Sequence, residues 1–277
     1  MTTGTDDHED GFTKLSDGGE IAYQIHGRQH TGIPVLLIRP LGGSMALWGT
    51  FRALLSEQQR VISFDLRGTG HSSREPAWVS TRSIARDSLQ VLAHLGIPRA
   101  HVFGISLGGM AATWLAILAP TRVAKLCIAC APARGLELTR AGLRRELAQA
   151  ACFVRPRVEV EAALVHRLLS PRFLHAHPDE ARRIERTLRA EPASRGALLR
   201  HALAGVLHDV RRELRHIAAP TLVLAGEDDT LLGTESPRAL SAAIPEAAFE
   251  IIAGSGHALT LEQPIVTATR VSRFFLS

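Results

Sequence analysis

A short turn bracketed by glycines constrains this chain more than any other feature. The largely apolar run from Ala100 to Phe103 is typical of a buried strand, and Gly104-Ile105-Ser106-Leu107-Gly108 follows it closely. An apolar segment then runs from Met110 to Ala119 and predicts a helix, which Pro120 would end. Strand, tight turn and helix in this order is the setting in which a Gly-x-Ser-x-Gly sequence exposes its serine as a nucleophile.

Physical chemistry explains why this turn has a serine between two glycines. Ser106 has to adopt a strained backbone conformation for its hydroxyl to point outward. Gly104 and Gly108 lack a Cβ, so strand and helix can approach closely. The helix that starts near Leu107 directs its free N–H groups and positive dipole end to the same place, where an oxyanion would be stabilised. The alternative is a glycine-rich turn with an incidental serine.

A serine hydroxyl is a weak nucleophile and needs a histidine base, which a carboxylate in turn orients. The chain offers both partners after Ser106, each behind a predicted strand. Gly226-Glu227-Asp228-Asp229 follows the apolar run Leu222–Ala225, and Gly254-Ser255-Gly256-His257 follows the run Phe249–Ile252. The carboxyl ends of parallel strands share one edge of a sheet, so these loops can meet at the serine.

The chain has 13 histidines, so any single one is weak evidence. His71, which follows Gly68-Thr69-Gly70, is the main rival of His257. His94 and His101 are interpreted as surface or packing residues. Six further histidines lie in or beside residues 134–215, a segment rich in arginine, and are expected to face solvent: His166, His175, His177, His201, His208 and His216.

Alternating apolar strands and helices over most of the chain predict a mostly parallel sheet with helices on both faces. Residues 1–10 read as a disordered tail, followed by a hairpin. Between about Arg134 and Arg215 the pattern is helical throughout, which predicts a helical lid inserted in the sheet domain. We therefore expect a core of residues 1–133 and 216–277 and a lid of residues 134–215.

Positive charge is concentrated in the predicted lid. Its 82 residues hold 17 Arg, no Lys and 10 Asp plus Glu, for a charge of +7 against +5 for the whole chain. Such a surface could attract small acidic substrates or an acidic carrier protein, but a simple solvated helical surface is favoured. Nucleic-acid binding is not expected, because the basic residues lack interleaved aromatic residues and any recognisable module.

The cysteines indicate neither a disulfide framework nor a metal site. Cys127 and Cys130 lie in a strand-like run without a second pair, and they are expected to be buried core thiols. No signal peptide or membrane-spanning run is visible. We expect a cytoplasmic protein without metal or organic cofactor and without a membrane partner.

Five segments resemble the α/β-hydrolase superfamily over nearly the whole chain. They are Leu41-Gly42-Gly43-Ser44, Asp65-Leu66-Arg67-Gly68-Thr69-Gly70-His71-Ser72, the Ser106 turn, Gly226-x-x-Asp229 and Gly254-Ser255-Gly256-His257. The resemblance implies an eight-stranded sheet and selects Asp229 as the acid, with Asp228 and then Glu227 as alternatives. The lid length and the first segment are most similar to 3-oxoadipate enol-lactonases and related small ester and lactone hydrolases.

The same resemblance implies an oxyanion hole formed by the backbone N–H groups of Leu41 and Leu107. Many relatives have His-Gly where this chain has Arg39-Pro40, and only Pro40 loses an N–H by the change. Arg39 could bind a substrate carboxylate, or it could pair with a nearby Asp or Glu and brace the loop. Gly42 and Trp48 are further candidates for contact with substrate.

The sequence thus predicts a serine hydrolase that cleaves a small ester or lactone through an acyl-enzyme. Carbon–carbon bond hydrolysis of a diketone and hydrolysis of acyl esters on a carrier protein are alternatives that use the same three residues. A non-catalytic binding protein with this fold is the alternative from another class.

Overall fold

The computed structural model describes residues 8–73, 78–135, 157–190 and 193–277. Within them, one sheet has eight strands: His8–Lys14 (β1), Glu20–His26 (β2), Val35–Ile38 (β3), Val61–Phe64 (β4), Ala100–Ile105 (β5), Val123–Ala129 (β6), Thr221–Gly226 (β7) and Ala248–Ile252 (β8). Their order in the sheet is β1-β2-β4-β3-β5-β6-β7-β8. Strand β2 pairs antiparallel with β1 and β4, and all other neighbours are parallel. The mostly parallel sheet predicted from the sequence is confirmed.

Strand β1 begins earlier than predicted. Its first three residues, His8 to Asp10, belong to the predicted tail, but they pair in register with Gln24 to His26 of β2. Backbone hydrogen bonds to a neighbouring strand extend β1 regardless of its side chains, so the tail prediction is wrong for residues 8–10. Residues 1–7 lie outside the described part.

Helices cover both faces of the sheet. The described α-helices are Gly49–Ser56 (α1), Thr81–His94 (α2), Leu107–Leu118 (α3), Arg157–Leu168 (α4), Pro171–Ala176 (α5), Pro178–Ala190 (α6), Arg195–Val206 (α7), Glu235–Ala242 (α8), Leu259–Glu262 (α9) and Pro264–Leu276 (α10). Helices α1 and α10 pack together on one face, with Leu37 and Phe103 of the sheet. Helices α2 and α3 pack together on the other face, with Leu36 and Val102. No helix in the described ranges combines the length and apolar character needed to cross a bilayer.

Helices α4 to α7 lie in the segment between β6 and β7, as the predicted lid requires. The two ends of this segment meet, because the Gly135 N–H donates to the His208 carbonyl (2.8 Å) and the Val210 N–H donates to the Ala133 carbonyl (3.0 Å). Part of the predicted lid, residues 136–156, lies outside the described residues. The exact division into core and lid stays a prediction.

The segment is attached to the sheet edge where β8 ends. Val165, Leu169, Ile184 and Leu188 form one apolar cluster with Ala258, the residue after His257. The Ala258 N–H also donates to the Leu168 carbonyl at 3.0 Å. The helices therefore pack directly on the loop that carries His257.

Candidate active site

Ser106 occupies a sharp turn between β5 and α3. Its backbone has φ 55° and ψ −120°, in the left-handed half of conformational space that residues other than glycine rarely adopt. Its N–H donates to the Ala129 carbonyl of β6 at 2.9 Å, which fixes the turn to the sheet. Strain of this kind is characteristic of functional residues.

The two flanking glycines are required by close packing. A Cβ at Gly104 would lie 2.3 Å from the Gly108 carbonyl oxygen, and one at Gly108 would lie 2.1 Å from the Ile38 carbonyl oxygen. Neither position has room for a side chain. As a result, the start of α3 sits directly against the loop that follows β3.

Three distant side chains form a hydrogen-bonded chain at this turn. Nε2 of His257 lies 2.8 Å from Oγ of Ser106, and Nδ1 of His257 lies 2.8 Å from Oδ2 of Asp229. An ionised carboxylate can only accept, so Nδ1 carries the proton and Nε2 is free to accept from the serine hydroxyl. This is the arrangement in which a histidine can take the serine proton.

Asp229 is held as an ionised carboxylate. Burial acts to raise its pKa, but His257 and the N–H groups of Leu231 and Leu232 outweigh burial, so the pKa of Asp229 lies below its ordinary value. Oδ1 accepts from these two N–H groups at 2.8 and 3.0 Å. The loops of Asp229 and His257 touch at Gly226, where a Cβ would lie 2.1 Å from the Gly256 carbonyl oxygen.

The rival residues have other partners. Asp228 forms an ion pair with Arg172 at 3.1 Å, and Oε2 of Glu227 accepts from the Gly254 N–H at 2.8 Å. His71 is exposed, and its ring lies 3.9 Å from Asp65 rather than at Ser106. The geometry favours Asp229 and His257 over all three.

Arg39 is buried beneath the loop after β3. Its guanidinium donates to the Gly42 carbonyl, and Nη1 lies 3.8 Å from Oδ1 of Asp65. Asp65 also accepts from the N–H groups of Met45 (2.6 Å) and His71 (3.0 Å). Of the two roles considered for Arg39, these contacts favour bracing of the loop.

Glu262, which no sequence pattern indicated, is a buried carboxylate next to the His257 loop. It accepts from the Gly256 N–H (3.0 Å), from the Ser170 N–H (3.1 Å) and from the Ser170 hydroxyl (2.5 Å). Burial raises its pKa despite these hydrogen bonds. Glu262 therefore ties the residue before His257 to the start of α5, and a lone Glu at the end of a short helix gave no sequence signal for this role.

Cys130 lies behind the same residues. Its Sγ, a carboxylate oxygen of Asp229 and a ring nitrogen of His257 lie within 4.8 Å of one another. Burial, and then the Asp229 carboxylate, raise the pKa of the Cys130 thiol well above its ordinary value. Cys127 and Cys130 are both free and buried, as predicted.

Two cavities flank the imidazole of His257. The first is almost entirely apolar, and the predicted contact residue Trp48 lines it. Trp48 also packs against the rings of Phe51 and Phe103. Gly42 is not among the described lining residues of either cavity. A Cβ at Gly42 would lie 3.6 Å from the Leu198 side chain and 3.7 Å from the Leu164 side chain.

The second cavity contains the nucleophile. Ser106 lines it together with both predicted oxyanion residues, Leu41 and Leu107. Leu107 is the first residue of α3, so its N–H has no acceptor within the helix. Leu41 and Leu107 thus border the cavity that contains the nucleophile, and their role as an oxyanion hole stays a prediction.

The expectation that the histidines of the arginine-rich segment face solvent is wrong for two of them. His201 and His208 are buried, with 0% and 3% of their surface exposed. In α7, His201 follows Ala197 by four residues and precedes Ala204 by three, and all three residues are buried. This spacing places His201 on the buried face of the helix, and it could have predicted the burial of His201 despite the many arginines nearby.

Comparisons with known proteins identify the family to which this chain belongs. Residues 33–264 match the family described as the alpha/beta hydrolase fold. The chain is 31% identical to "Putative carbamate hydrolase RutD" of Caulobacter segnis over 95% of both chains, and 29% identical to 3-oxoadipate enol-lactonase 1 of Acinetobacter baylyi over 89% of this chain and 90% of the relative. The crystal structure of a hydrolase from Pseudomonas aeruginosa superposes with a TM-score of 0.84 at 28% identity over the full length of both chains. This chain therefore belongs to the α/β-hydrolase family and is a hydrolase that acts on ester-type bonds.

Proposed function

We propose that this protein is a serine hydrolase that cleaves a small carboxylic ester, lactone or carbamate through an acyl-enzyme on Ser106. The observation that carries the proposal is the unbroken hydrogen-bonded chain from Ser106 through His257 to Asp229. The relatives named as enol-lactonase and carbamate hydrolase support this group of substrates. Among the described residues, no contact favours carbon–carbon bond hydrolysis or an acidic carrier protein over these substrates.

In the first step, Oγ of Ser106 attacks the substrate carbonyl carbon while Nε2 of His257 takes the hydroxyl proton. The N–H groups of Leu41 and Leu107 stabilise the resulting oxyanion, by about 3 kcal/mol each if they act as in other hydrolases. His257 then gives its proton to the leaving oxygen, and the acyl group stays on Ser106. Asp229 stabilises the imidazolium throughout.

In the second step, a water molecule gives a proton to Nε2 of His257 and attacks the acyl carbon. The new tetrahedral intermediate collapses, Oγ of Ser106 leaves, and His257 returns the proton to it. The products are a carboxylic or carbamic acid and a free alcohol, or a hydroxy acid when the substrate is a lactone. The apolar first cavity suits a hydrocarbon portion of such a substrate.

A fluorophosphonate probe tests the proposal, because it reacts with a serine only when a base activates the hydroxyl. We expect the wild type to be labelled on the peptide that contains Ser106 and Ser106→Ala to remain unlabelled. Ser16 is exposed and lies in the turn between β1 and β2, far from Ser106 in the sequence. Ser16→Ala therefore serves as the matched control and should be labelled like the wild type. Equal labelling of Ser106→Ala, or no labelling of the wild type, would contradict the proposal.

A further inference from the structure

The two residues that flank His257 in the chain are both hydrogen-bonded to other parts of the fold. The Gly256 N–H donates to Oε2 of Glu262 at 3.0 Å, and the Ala258 N–H donates to the Leu168 carbonyl at 3.0 Å. Glu262 is the last residue of α9, and Leu168 is the last residue of α4. The backbone on each side of His257 is therefore fixed by a separate contact.

Glu262 also binds the turn between α4 and α5, which contains Ser170. Its Oε1 accepts from the Ser170 N–H at 3.1 Å, and its Oε2 accepts from the Ser170 hydroxyl at 2.5 Å. These residues are in tight contact, because a Cβ at Gly256 would lie 2.7 Å from Oε1 of Glu262 and 2.7 Å from the Ser170 backbone nitrogen. Ser170, Gly256 and Glu262 thus form one packed group, which we call the Glu262 cluster.

The hydrogen bonds of the Glu262 cluster are buried. Glu262 has 6% and Ser170 has 1% of its surface exposed. Burial raises the pKa of Glu262, and the hydrogen bonds from Ser170 and Gly256 act in the opposite direction. A buried network of this kind keeps a definite arrangement, because the loss of one partner leaves a desolvated polar group.

Glu262 does not belong to the described lining of either cavity beside His257, whereas His257 lines both. Direct contact between Glu262 and a substrate in these cavities is therefore not available. An influence of Glu262 on the reaction has to pass through the backbone that carries His257.

We propose that Glu262 is a positioning residue for proton transfer by His257. It joins the backbone of Gly256 to the turn at Ser170, and so keeps Nε2 of His257 at hydrogen-bond distance from Oγ of Ser106, 2.8 Å in the structure. This inference rests on the proposed function, because it concerns the base of that reaction. A glutamate that only anchored the turn would contribute to stability and leave the rate of the folded protein unchanged.

Glu262→Gln is the first test. Glutamine has nearly the same shape but only one acceptor oxygen, so the donors at the other position lose their partner. We expect kcat for p-nitrophenyl butyrate and the rate of fluorophosphonate labelling to fall together by about 10- to 100-fold, since displacement of a catalytic group by about 1 Å costs up to about 100-fold. KM should stay near the wild-type value, because no contact with substrate is removed.

Ser170→Ala separates the hydrogen-bonded cluster from the charge of Glu262. This variant keeps the carboxylate and removes one of its donors, so kcat and the labelling rate should fall, but less than in Glu262→Gln. In the double variant the two losses should not multiply, because both act through the same carboxylate. Ser170→Ala also decides the matter if Glu262→Gln does not fold.

Arg172→Met is the matched control. It breaks the ion pair between α5 and Asp228, next to Asp229, without touching the Glu262 cluster, and it should keep the wild-type kcat and labelling rate. Ser170 also caps α5 through the Phe173 N–H at 3.1 Å, so Ser170→Ala should lower the Tm. All rates are therefore measured below the lowest Tm of the series.

The inference is overturned if Glu262→Gln keeps the wild-type kcat and labelling rate, or if only its KM changes. Full activity of Ser170→Ala beside a slow Glu262→Gln would overturn it too, since the charge of Glu262 would then matter and the cluster would not. A loss in Arg172→Met as large as that in Glu262→Gln would have the same consequence. Failure of the proposed function is a different result, in which the wild type neither hydrolyses the ester nor reacts with the fluorophosphonate.

Discussion

Asp229→Asn is expected to lower kcat by about 10⁴-fold with little change in the fold, the magnitude known for the equivalent change in a serine protease. The amide can donate to Nδ1 of His257, which favours the tautomer with its proton on Nε2. Nε2 could then no longer accept the Ser106 proton, and the imidazolium would lose its counter-charge. Steady-state kinetics with a small ester, together with circular dichroism, measures both parts of the expectation.

Asp228→Asn is the matched control, because it removes the neighbouring carboxylate from the same turn. Asp228 pairs with Arg172, whose side chain is 68% exposed, so the change should cost less than about 1 kcal/mol of stability and leave kcat nearly unchanged. A large loss of kcat in Asp228→Asn with normal activity in Asp229→Asn would reverse the assignment of the acid.

Arg39→Met is expected to lower the free energy of unfolding by about 3–5 kcal/mol, as the loss of one partner of a buried ion pair typically does. The change leaves the Asp65 carboxylate and the Gly42 carbonyl buried without their guanidinium partner. Urea denaturation measures the loss, and Arg172→Met, an exposed partner of an ion pair, is the control that should change stability by less than about 1 kcal/mol.

Kinetics with Arg39→Met distinguishes the two roles considered for this residue. If Arg39 braces the loop that carries Leu41, kcat/KM should fall by the same factor for neutral esters and for esters with a carboxylate. Unchanged stability together with a selective loss of the carboxylate-bearing esters would show instead that Arg39 binds substrate. Arg39→Lys keeps the charge and provides a milder variant if Arg39→Met does not fold.

The sheet, Ser106, His257 and the turn that carries Asp229 were accessible from the sequence because their signals are local, whereas the choice of Asp229 within that turn came from the resemblance to the α/β-hydrolase superfamily. Each residue follows a short apolar strand and is accompanied by glycines, and parallel strands bring their carboxyl ends to one edge. The glycines at 104 and 108 carry much of this information, since the chain has no space for a Cβ at either position. Such constraints leave a recognisable pattern within a few residues.

The supporting contacts were not accessible because they join residues far apart in the sequence. Arg39 meets Asp65, and Glu262 meets Ser170 across 92 positions. The burial of His201 depends on how α7 packs against the sheet domain, which the arginines of the segment obscured. The role of a charged or polar residue is decided by the partner it meets in the fold, and one sequence does not name that partner.

The most direct test of the central claim is to trap the acyl group on Ser106. Wild-type enzyme turning over a p-nitrophenyl ester is quenched in acid within the first turnovers, digested, and analysed by mass spectrometry. We predict a mass increase equal to the substrate acyl group on the peptide that contains Ser106, and no such peptide from Ser106→Ala. Rapid turnover with no acyl group on this peptide, or with the acyl group on another residue, would contradict the account.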